Sequence, residues 1–409
     1  MGEPAPLSGL RIIDVSMLGP GALTTHLADL GAEVIKVEPP GGDYVRRMVW
    51  PIIDGVSLLH LHIARGKRSV VLDLRRPEGV TVFLDLVARA DAVVEAMRPG
   101  ALERRGLGLD RLRQANPRIV LCSLSGYGAT GPYREMPSHG IAYDVWAGLV
   151  RPEIDADGFA YLPEHVSVGI HAGPLYGALA LLAAVTAARS TGVGSHVDVA
   201  QSDAAAALDW MRIETYRAYR RPADIVTGNP SDGYERRPPG TGGMRDAVRY
   251  QAYESSDGFV LFMASERRFW RNFCAGIGRP ELFERYPGAE YADHARGNTE
   301  LRAELRSVFR TRTTQEWVAF GIEVDTPICP VNTPETITSD PQFRERMPWL
   351  GVDELGADEL PFPARIDGAV PRRPEPAPRP GEHAEQVLRE VLGYDAARVA
   401  ALREQGVLD

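Results

Sequence analysis

Cysteine is scarce in this chain, and the scarcity limits what the protein can be. The 409 residues include only Cys122, Cys274 and Cys329. They are too few for a disulfide framework and lack the spacing of metal ligands. We expect buried thiols in a reducing compartment and therefore a cytoplasmic protein. No metal site is expected.

Positive charge is also in deficit. The net charge is −9 at pH 7, which argues against a general nucleic-acid-binding protein. We expect no apolar run of membrane-span length, and the N-terminal residues lack a signal-peptide pattern, so no membrane partner is expected. The hydrophobic share of 44% is ordinary for a soluble globular protein, and the length suffices for two domains or more.

Signatures of nucleotide cofactors are missing as well. The first strand-to-helix turn contains Gly19, Pro20 and Gly21, but glycine does not recur at the offsets of a dinucleotide fingerprint. A Walker A motif is absent too. Nicotinamide cofactors and ATP are therefore not expected as ligands. His60 and His62 lack a third ligand for a metal ion.

Strand and helix patterns alternate through the first half of the chain. The predicted strands are 10–15, 33–37, 69–74, 91–96, 119–124 and 196–200, and the predicted helices are 21–30, 77–90, 111–116, 171–188 and 203–219. This alternation predicts an α/β fold with a parallel sheet in a large, doubly wound, Rossmann-like domain.

Breaks rich in glycine and proline divide the rest of the chain. We predict a large domain over 1–225, a smaller α+β domain over 226–335, and a C-terminal part, 336–409, that returns to the large domain. Residues 228–243 form a long loop of the kind that is usually functional or disordered. Thr313 and Glu316 fit a capping box that opens a helix through Phe320.

The most informative stretch is the end of the predicted strand 119–124. A Gly-rich turn follows it over 126–131, and His139 comes soon after. Ligands of α/β sheets collect where strands end, and glycine lets the backbone approach them. His139 can titrate near neutral pH or donate a hydrogen bond. The alternative is a plain loop with a surface histidine.

Several ordered motifs resemble one enzyme family. They are 7–15 (LSGLRIIDV), 27–43 (LADLGAEVIKVEPPGGD), 66–74 (GKRSVVLDL), 98–100 (RPG), 125–132 (SGYGATGP), 381–383 (GEH) and 392–394 (LGY). The chain resembles the family III CoA-transferases, also called the CaiB/BaiF family, which include formyl-CoA transferase and the α-methylacyl-CoA racemases. The resemblance implies that coenzyme A or an acyl-CoA is a substrate. It also implies an interlocked-ring homodimer.

Candidate CoA-binding residues combine cations suited to phosphates with positions that match the family. They are Met17, Leu18, Lys67, Leu72, Arg75, Ala96, Arg98, Arg104, Gly126, Tyr127 and Tyr143. A solvated basic surface is the alternative for the arginines. Pro39 stands where many members carry arginine, so Lys36 or Arg46 would have to compensate.

The catalytic position departs from the resemblance. Family transferases use an aspartate as nucleophile, and the resemblance places it at Gly169 or Ile170, neither of which can attack a thioester. Asp144 and Asp155 are the nearest aspartates upstream.

The racemases of the family imply another arrangement. They use a histidine, here His139, which Glu266 would orient, and a second base on the opposite face of the α-carbon. His171 is the candidate for that second base, and its alternative is a packed residue at a helix N-terminus. The segment 240–243 resembles the family's glycine-rich flap, with a flexible linker as its alternative.

Three hypotheses follow. The first is a CoA-transferase that moves CoA between an acyl-CoA and a carboxylic acid with altered catalytic residues. The second is an acyl-CoA racemase or isomerase that uses His139. The third is a CoA-binding protein without transferase activity.

Overall fold

The computed structural model describes residues 5–229, 234–236, 244–289, 292–368 and 373–408. The chain forms two compact units. The first contains the chain up to Trp210 together with the segment from Met347 onward, and the second is Met211–Arg346. The predicted smaller domain, 226–335, lies inside the second unit.

The strands are β1 Arg11–Asp14, β2 Glu33–Glu38, β3 Ile52–Ile53, β4 Val56–Ser57, β5 Lys67–Val71, β6 Ala92–Glu95, β7 Val120–Ser125, β8 Glu153–Ile154, β9 Ala160–Tyr161, β10 His196–Ala200, β11 Tyr250–Glu254, β12 Phe259–Met263 and β13 Ile328–Pro330. The helices are α1 Ala22–Asp29, α2 Leu58–Ala64, α3 Pro77–Val87, α4 Ala101–Arg104, α5 Leu109–Ala115, α6 Ile141–Trp146, α7 Val168–Thr191, α8 Gln201–Leu208, α9 Trp210–Ala218, α10 Arg267–Gly276, α11 Pro280–Arg285, α12 Thr299–Phe309, α13 Thr314–Glu323, α14 Pro334–Ile337, α15 Pro341–Arg346, α16 Val352–Leu355, α17 Ala384–Leu392 and α18 Ala396–Glu404. Two short 3-10 helices cover Gly19–Gly21 and Tyr44–Arg47.

A six-stranded sheet organises the first unit. Its order is β10-β7-β6-β1-β2-β5, and every pairing is parallel. The register places Ile12 between Val34 and Ala92. The predicted parallel α/β sheet is confirmed. The chain runs outward from β1 through β2 to β5 and then returns to β6 on the other side of β1. The strand order therefore reverses between β1 and β6, where α/β sheets bind ligands.

Each face of the sheet carries its own apolar core because successive side chains of a strand point to opposite faces. Ile13 belongs to the core that contains Phe83 of α3 and Leu388 of α17. Ile12 belongs to the core that contains Leu23 of α1 and Leu181 of α7. Helices cover both faces, as the hydrophobic strands of a parallel sheet require.

The C-terminal segment belongs to the first unit. Leu408 pairs with Leu72 in an isolated antiparallel bridge, directly after β5. Val387 is buried, and His383 donates its backbone N–H to the carbonyl of Ser69. The last residues of the chain therefore support the end of β5 at the edge of the sheet.

The second unit is built around an antiparallel sheet, β11-β12-β13. Trp270, Phe273 and Trp317 from its helices are almost fully buried in one aromatic core with Phe262. Thr313 and Glu316 form the predicted capping box at the start of α13. That prediction is confirmed.

Helix α7 corrects one expectation from the sequence. Among the described residues this one helix is long and apolar enough, by length and composition, to cross a membrane. The prediction that no run reaches that length is wrong. A core helix passes the same test, and α7 packs on the sheet with Leu181 and Val185 buried.

Candidate functional site

Several predicted CoA-binding residues of the first unit lie directly after the ends of its strands. Met17 and Leu18 follow β1, Ala96 follows β6, and Gly126 follows β7. The carboxyl ends of parallel strands share one edge of the sheet, so these segments lie side by side there. The site is consequently centred on the point where the strand order reverses.

The turn after β1 is strained. Leu18 has φ 60° and ψ −152°, a backbone region that a residue with a β-carbon rarely adopts. Asp14 supports the turn from below. One of its oxygens accepts hydrogen bonds from the N–H and hydroxyl of Ser16, and the other accepts from Thr24. These bonds hold the Leu18 backbone in an orientation that it would not adopt alone.

The side chain of Lys67 also stabilises this turn from inside the protein. Its ammonium is almost fully buried and lies 2.9 Å from Asp14 Oδ2 and 2.8 Å from the carbonyl oxygen of Gly21. Burial alone would raise the pKa of Asp14, but Lys67 and Lys36 lower it to about 2. Lys67, which the sequence suggested as a phosphate ligand, is therefore used in an internal ion pair.

The residues offered as substitutes for the arginine at Pro39 are internal too. Lys36 bonds to the carbonyl of Ser16 at 2.7 Å and pairs with Asp43. Arg46 pairs with Glu38 at 2.9 Å. Both cations have protein partners, and the suggestion that they compensate for Pro39 is not supported by their placement.

The segment after β5 presents one paired cation. Leu72 is buried, so it can line the site only through its backbone. Arg75 is exposed and makes two hydrogen bonds to Asp73, at 2.8 and 2.9 Å. These hydrogen bonds raise the pKa of Arg75 and lower that of Asp73 to about 2. Arg75 would have to leave Asp73, at least in part, to bind a phosphate.

The segment after β6 carries the cations that face solvent. Arg98 is exposed, and its side chain has no polar partner among the residues that the structure describes. Arg104 is exposed as well, and within the described ranges its one hydrogen-bond acceptor is the carbonyl oxygen of Pro99, at 3.5 Å. The guanidinium of Arg134 lies with that of Arg104 beside Gly100. Sequence reasoning missed Arg134, although it comes three residues after the Gly-rich turn.

The Gly-rich turn after β7 packs closely on the next helix. A β-carbon at Gly126 would overlap Ser138 Oγ and lie 2.9 Å from a ring carbon of Tyr143. Tyr143 is buried, and its hydroxyl lies 3.2 Å from Ser138 Oγ. Tyr127 makes edge contacts with Tyr143 and with the half-exposed Trp146. An aromatic wall therefore lines this end of the site.

The first turn of α7 decides between the two candidate nucleophile positions. Gly169 points inward, because a β-carbon there would come within 2.7 Å of Tyr143 Cβ and 3.2 Å of the carbonyl oxygen of Gln201. Ile170, one residue on, is partly buried and lies against Gly19 and Gly140. Position 170 thus lies between the strained turn and the residue after His139.

Asp144 and Asp155 have structural positions. Asp144 is fully buried, and its two oxygens accept the N–H groups of Val168 at 3.1 Å and Gly169 at 2.7 Å. It therefore caps α7 from a neighbouring helix. Asp155 lies in the turn between β8 and β9, where it accepts the N–H of Phe159. The capping role of Asp144 was missed because it joins residues 24 positions apart.

The histidines of the racemase hypothesis are both exposed. His139 lies next to Gly140 before α6, and His171 lies in the first turn of α7. Glu266 precedes α10 and is exposed in the second unit, whereas both histidines belong to the first. The flap 240–243 lies outside the described residues. In the described part of the chain no three His, Cys, Asp or Glu residues are grouped to hold a metal ion.

Known proteins are similar to this chain over nearly its whole length. Residues 7–384 match CoA-transferase family III. A probable fatty acyl-CoA transferase of Mycobacterium tuberculosis is 32% identical, over 92% of this chain and 96% of that protein. A succinate–glutarate CoA-transferase of Agrobacterium fabrum is 31% identical, over 94% and 96%. A crystal structure of a CaiB/BaiF family protein from Brucella suis matches with a TM-score of 0.76 and 26% identity, over 95% of this chain and all of the other.

Proposed function

We propose that this chain, which belongs to CoA-transferase family III and is a CoA-transferase, transfers CoA at the carboxyl edge of its parallel sheet. CoA passes from an acyl-CoA to the carboxylate of a free acid. The phosphates of CoA lie toward Arg98 and Arg104, and the thioester lies toward Ile170 and His139. The substrate thus spans the point where the strand order reverses.

The observation that carries this placement is the set of free cations after β6. Guanidinium groups stay charged at any physiological pH and match phosphate geometry. Arg98 and Arg104 are exposed and hold no carboxylate partner among the described residues. Arg134 adds a third guanidinium beside Gly100, although it also lies 3.2 Å from Glu135. An acidic chain that keeps such cations exposed at a ligand-binding edge is suited to a polyphosphate ligand.

The other end of the site suits an acyl group. Tyr127, Tyr143 and Trp146 supply aromatic surface next to the Gly-rich turn. Ile170 adds an aliphatic side chain beside Gly140. Apolar walls with a few polar groups are typical of sites that bind small organic ligands. His139, exposed at this end, is placed to donate a hydrogen bond to a carboxylate or thioester oxygen.

The acids involved are proposed from the relatives. The Agrobacterium fabrum protein is named for succinate and glutarate, and the Mycobacterium tuberculosis protein for fatty acyl groups. We take succinyl-CoA as the donor and a short dicarboxylic acid as the acceptor. Fatty acids are tested beside the dicarboxylic acids as alternative acceptors.

The functional protein is proposed to be a cytoplasmic homodimer. Large apolar side chains of the first unit are exposed, among them Leu175 and Leu179 on α7 and Trp210 at the start of α9. Exposed apolar patches of this kind mark protein contact surfaces. Light scattering of the purified protein measures the mass directly, and a monomer at all concentrations would contradict the dimer.

The transfer is tested with purified protein, succinyl-CoA and a panel of free acids in heavy water. We expect a new acyl-CoA that appears only when the acceptor acid is present, detected by mass spectrometry. The Arg98→Gln variant should reach half-maximal rate at a higher succinyl-CoA concentration. Deuterium gain at the α-carbon without acyl exchange would contradict the proposal and favour the racemase hypothesis.

A further inference from the structure

The position that the family resemblance assigns to the nucleophile carries no carboxylate in this chain. Residues 169 and 170 both lie in the first turn of α7, where successive side chains point about 100° apart. Gly169 has no room for a side chain, because Tyr143 and Gln201 lie against it. Ile170 points between the turn after β1 and the segment that contains His139. The structure therefore selects position 170 as the one that faces the site.

The nearby aspartate does not replace the missing group. Asp144 is fully buried, and both of its oxygens accept N–H groups at the start of α7. The imidazole of His165 also lies 3.4 Å from Asp144 Oδ2. A carboxylate that attacks a thioester must reach the carbonyl carbon with a free oxygen lone pair. Releasing Asp144 would uncap α7 and expose its buried N–H groups.

We infer that this enzyme transfers CoA without a covalent enzyme intermediate, and that Ile170 is the residue that excludes one. This inference rests on the proposed transfer reaction. The acceptor carboxylate attacks the carbonyl carbon of the bound acyl-CoA. The C–S bond breaks, a mixed anhydride of the two acids forms, and CoA leaves as the thiolate. The thiolate then attacks the acceptor's carbonyl carbon of the anhydride, forming the new thioester and releasing the donor acid.

The energetics of this route depend on binding both substrates at once. An enzyme carboxylate is held in place by the fold, and that positioning lowers the entropic cost of attack. A free acid must be positioned by its own binding contacts instead. Acyl-CoA and acceptor must therefore occupy the site together, and the rate law must contain a ternary complex.

A single-turnover experiment with labelled oxygen separates the two routes. The acceptor carries ¹⁸O in both carboxylate oxygens, and the enzyme is in excess over succinyl-CoA. In direct transfer, one ¹⁸O passes through the anhydride into the released succinate during the first turnover. With an enzyme carboxylate, the first succinate is unlabelled and the ¹⁸O stays on the protein. We expect one ¹⁸O in essentially all of the released succinate.

Two variants at the same position sharpen the test. Ile170→Asp supplies a carboxylate and should shift the label from succinate to the protein, with a CoA adduct visible in the intact protein mass. Ile170→Asn is the matched control of similar shape without a nucleophile, and it should keep the label in succinate. Initial rates of the wild-type enzyme should give intersecting double-reciprocal lines.

Three results would overturn the inference, and each differs from failure of the proposed function. Unlabelled succinate from the wild-type enzyme would reveal an enzyme nucleophile, as would a CoA adduct that forms without acceptor. Parallel double-reciprocal lines would point the same way. Absence of any acyl exchange would instead reject the transfer reaction itself. Transfer with unlabelled succinate would leave the transfer reaction standing and reject only the direct route.

Discussion

Cationic side chains are paired inside the protein on one side of the proposed ligand-binding edge and exposed to solvent on the other. On the side of β1 and β2, Lys36 within β2 and Lys67 at the start of β5 are buried, and Arg46 after β2 is partly buried. All three are paired with carboxylates. After β6, Arg98 and Arg104 are exposed and hold no carboxylate partner in the described structure. The same residue types therefore build the scaffold on one side and are available to a ligand on the other.

This difference shows what makes a cation available for binding. Lys67 and Arg98 are equally good phosphate candidates by residue type. Asp14 lies on the strand beneath the turn and holds Lys67, while Gly21 supplies a second acceptor. No such partner faces Arg98 among the described residues. Four predictions test this contrast, and they are ordered from the largest expected effect to the smallest.

Removing the carboxylate beneath the β1 turn should have the largest effect. Asp14→Asn leaves the buried ammonium of Lys67 without its counter-ion, and losing one partner of a buried pair costs about 3–5 kcal/mol. Urea unfolding should show that loss at pH 7. Asp224→Asn, at an exposed position, is the control and should change the stability little.

The pH dependence of the same pair has a definite sign. The pKa of Asp14 lies at about 2 in the folded protein, below its ordinary value of 3.8. The stabilisation is therefore present above the ordinary value and is lost as the pH falls toward about 2. The difference in unfolding free energy between wild type and Asp14→Asn should therefore become smaller over that range. A difference that stays constant with pH would contradict the ion pair between Asp14 and Lys67.

A methyl group at the Gly-rich turn should have the second largest effect. Gly126→Ala places a β-carbon on Ser138 Oγ and near Tyr143, and overpacking of this kind costs about 1–3 kcal/mol. Thermal unfolding measures the loss. Adding Ser138→Ala should recover part of it by removing the overlapping oxygen. Gly351→Ala, with open space at the β-carbon, is the control.

Removing a free cation after β6 should weaken CoA binding and leave folding unchanged. Arg98→Gln loses charge-assisted hydrogen bonds to phosphate, so CoA affinity measured by calorimetry should fall about ten-fold. Arg118→Gln changes an exposed arginine just before β7, at the opposite edge of the sheet, and should leave the affinity unchanged. Equal losses in the two variants would mean that general charge, rather than position, attracts CoA.

The smallest effect concerns Glu95, the carboxylate at the end of β6. Burial raises the pKa of Glu95, so the folded state favours its protonated form. The stabilisation from that preference is present at low pH and is lost as the pH rises through the folded pKa. Glu95→Gln removes this loss. Its unfolding free energy relative to wild type should therefore rise slightly between acidic and neutral pH, as measured by urea unfolding.

Periodicity predicted the elements of the first unit well and their ends less well. Strand 196–200 was predicted with the bounds that the structure has. Helix 171–188 begins three residues earlier, at Val168, because Asp144 caps it from another helix. The predicted helix 203–219 is two helices that meet at Asp209. Such changes come from packing between distant segments, which a local pattern does not contain.

Sequence by itself determined the parallel α/β sheet, the family, and the absence of an aspartate at the start of α7. Those features depend on local periodicity and on the order of residues along the chain. Only the tertiary structure decided that Gly169 has no room for a side chain while Ile170 lies against Gly19 and Gly140, since this depends on the packing of distant segments. It also decided that Lys67 is internal while Arg98 is exposed, with no side-chain partner in the described part of the chain. Burial and pairing of a charge arise when distant segments meet, so they become definite only in the folded chain.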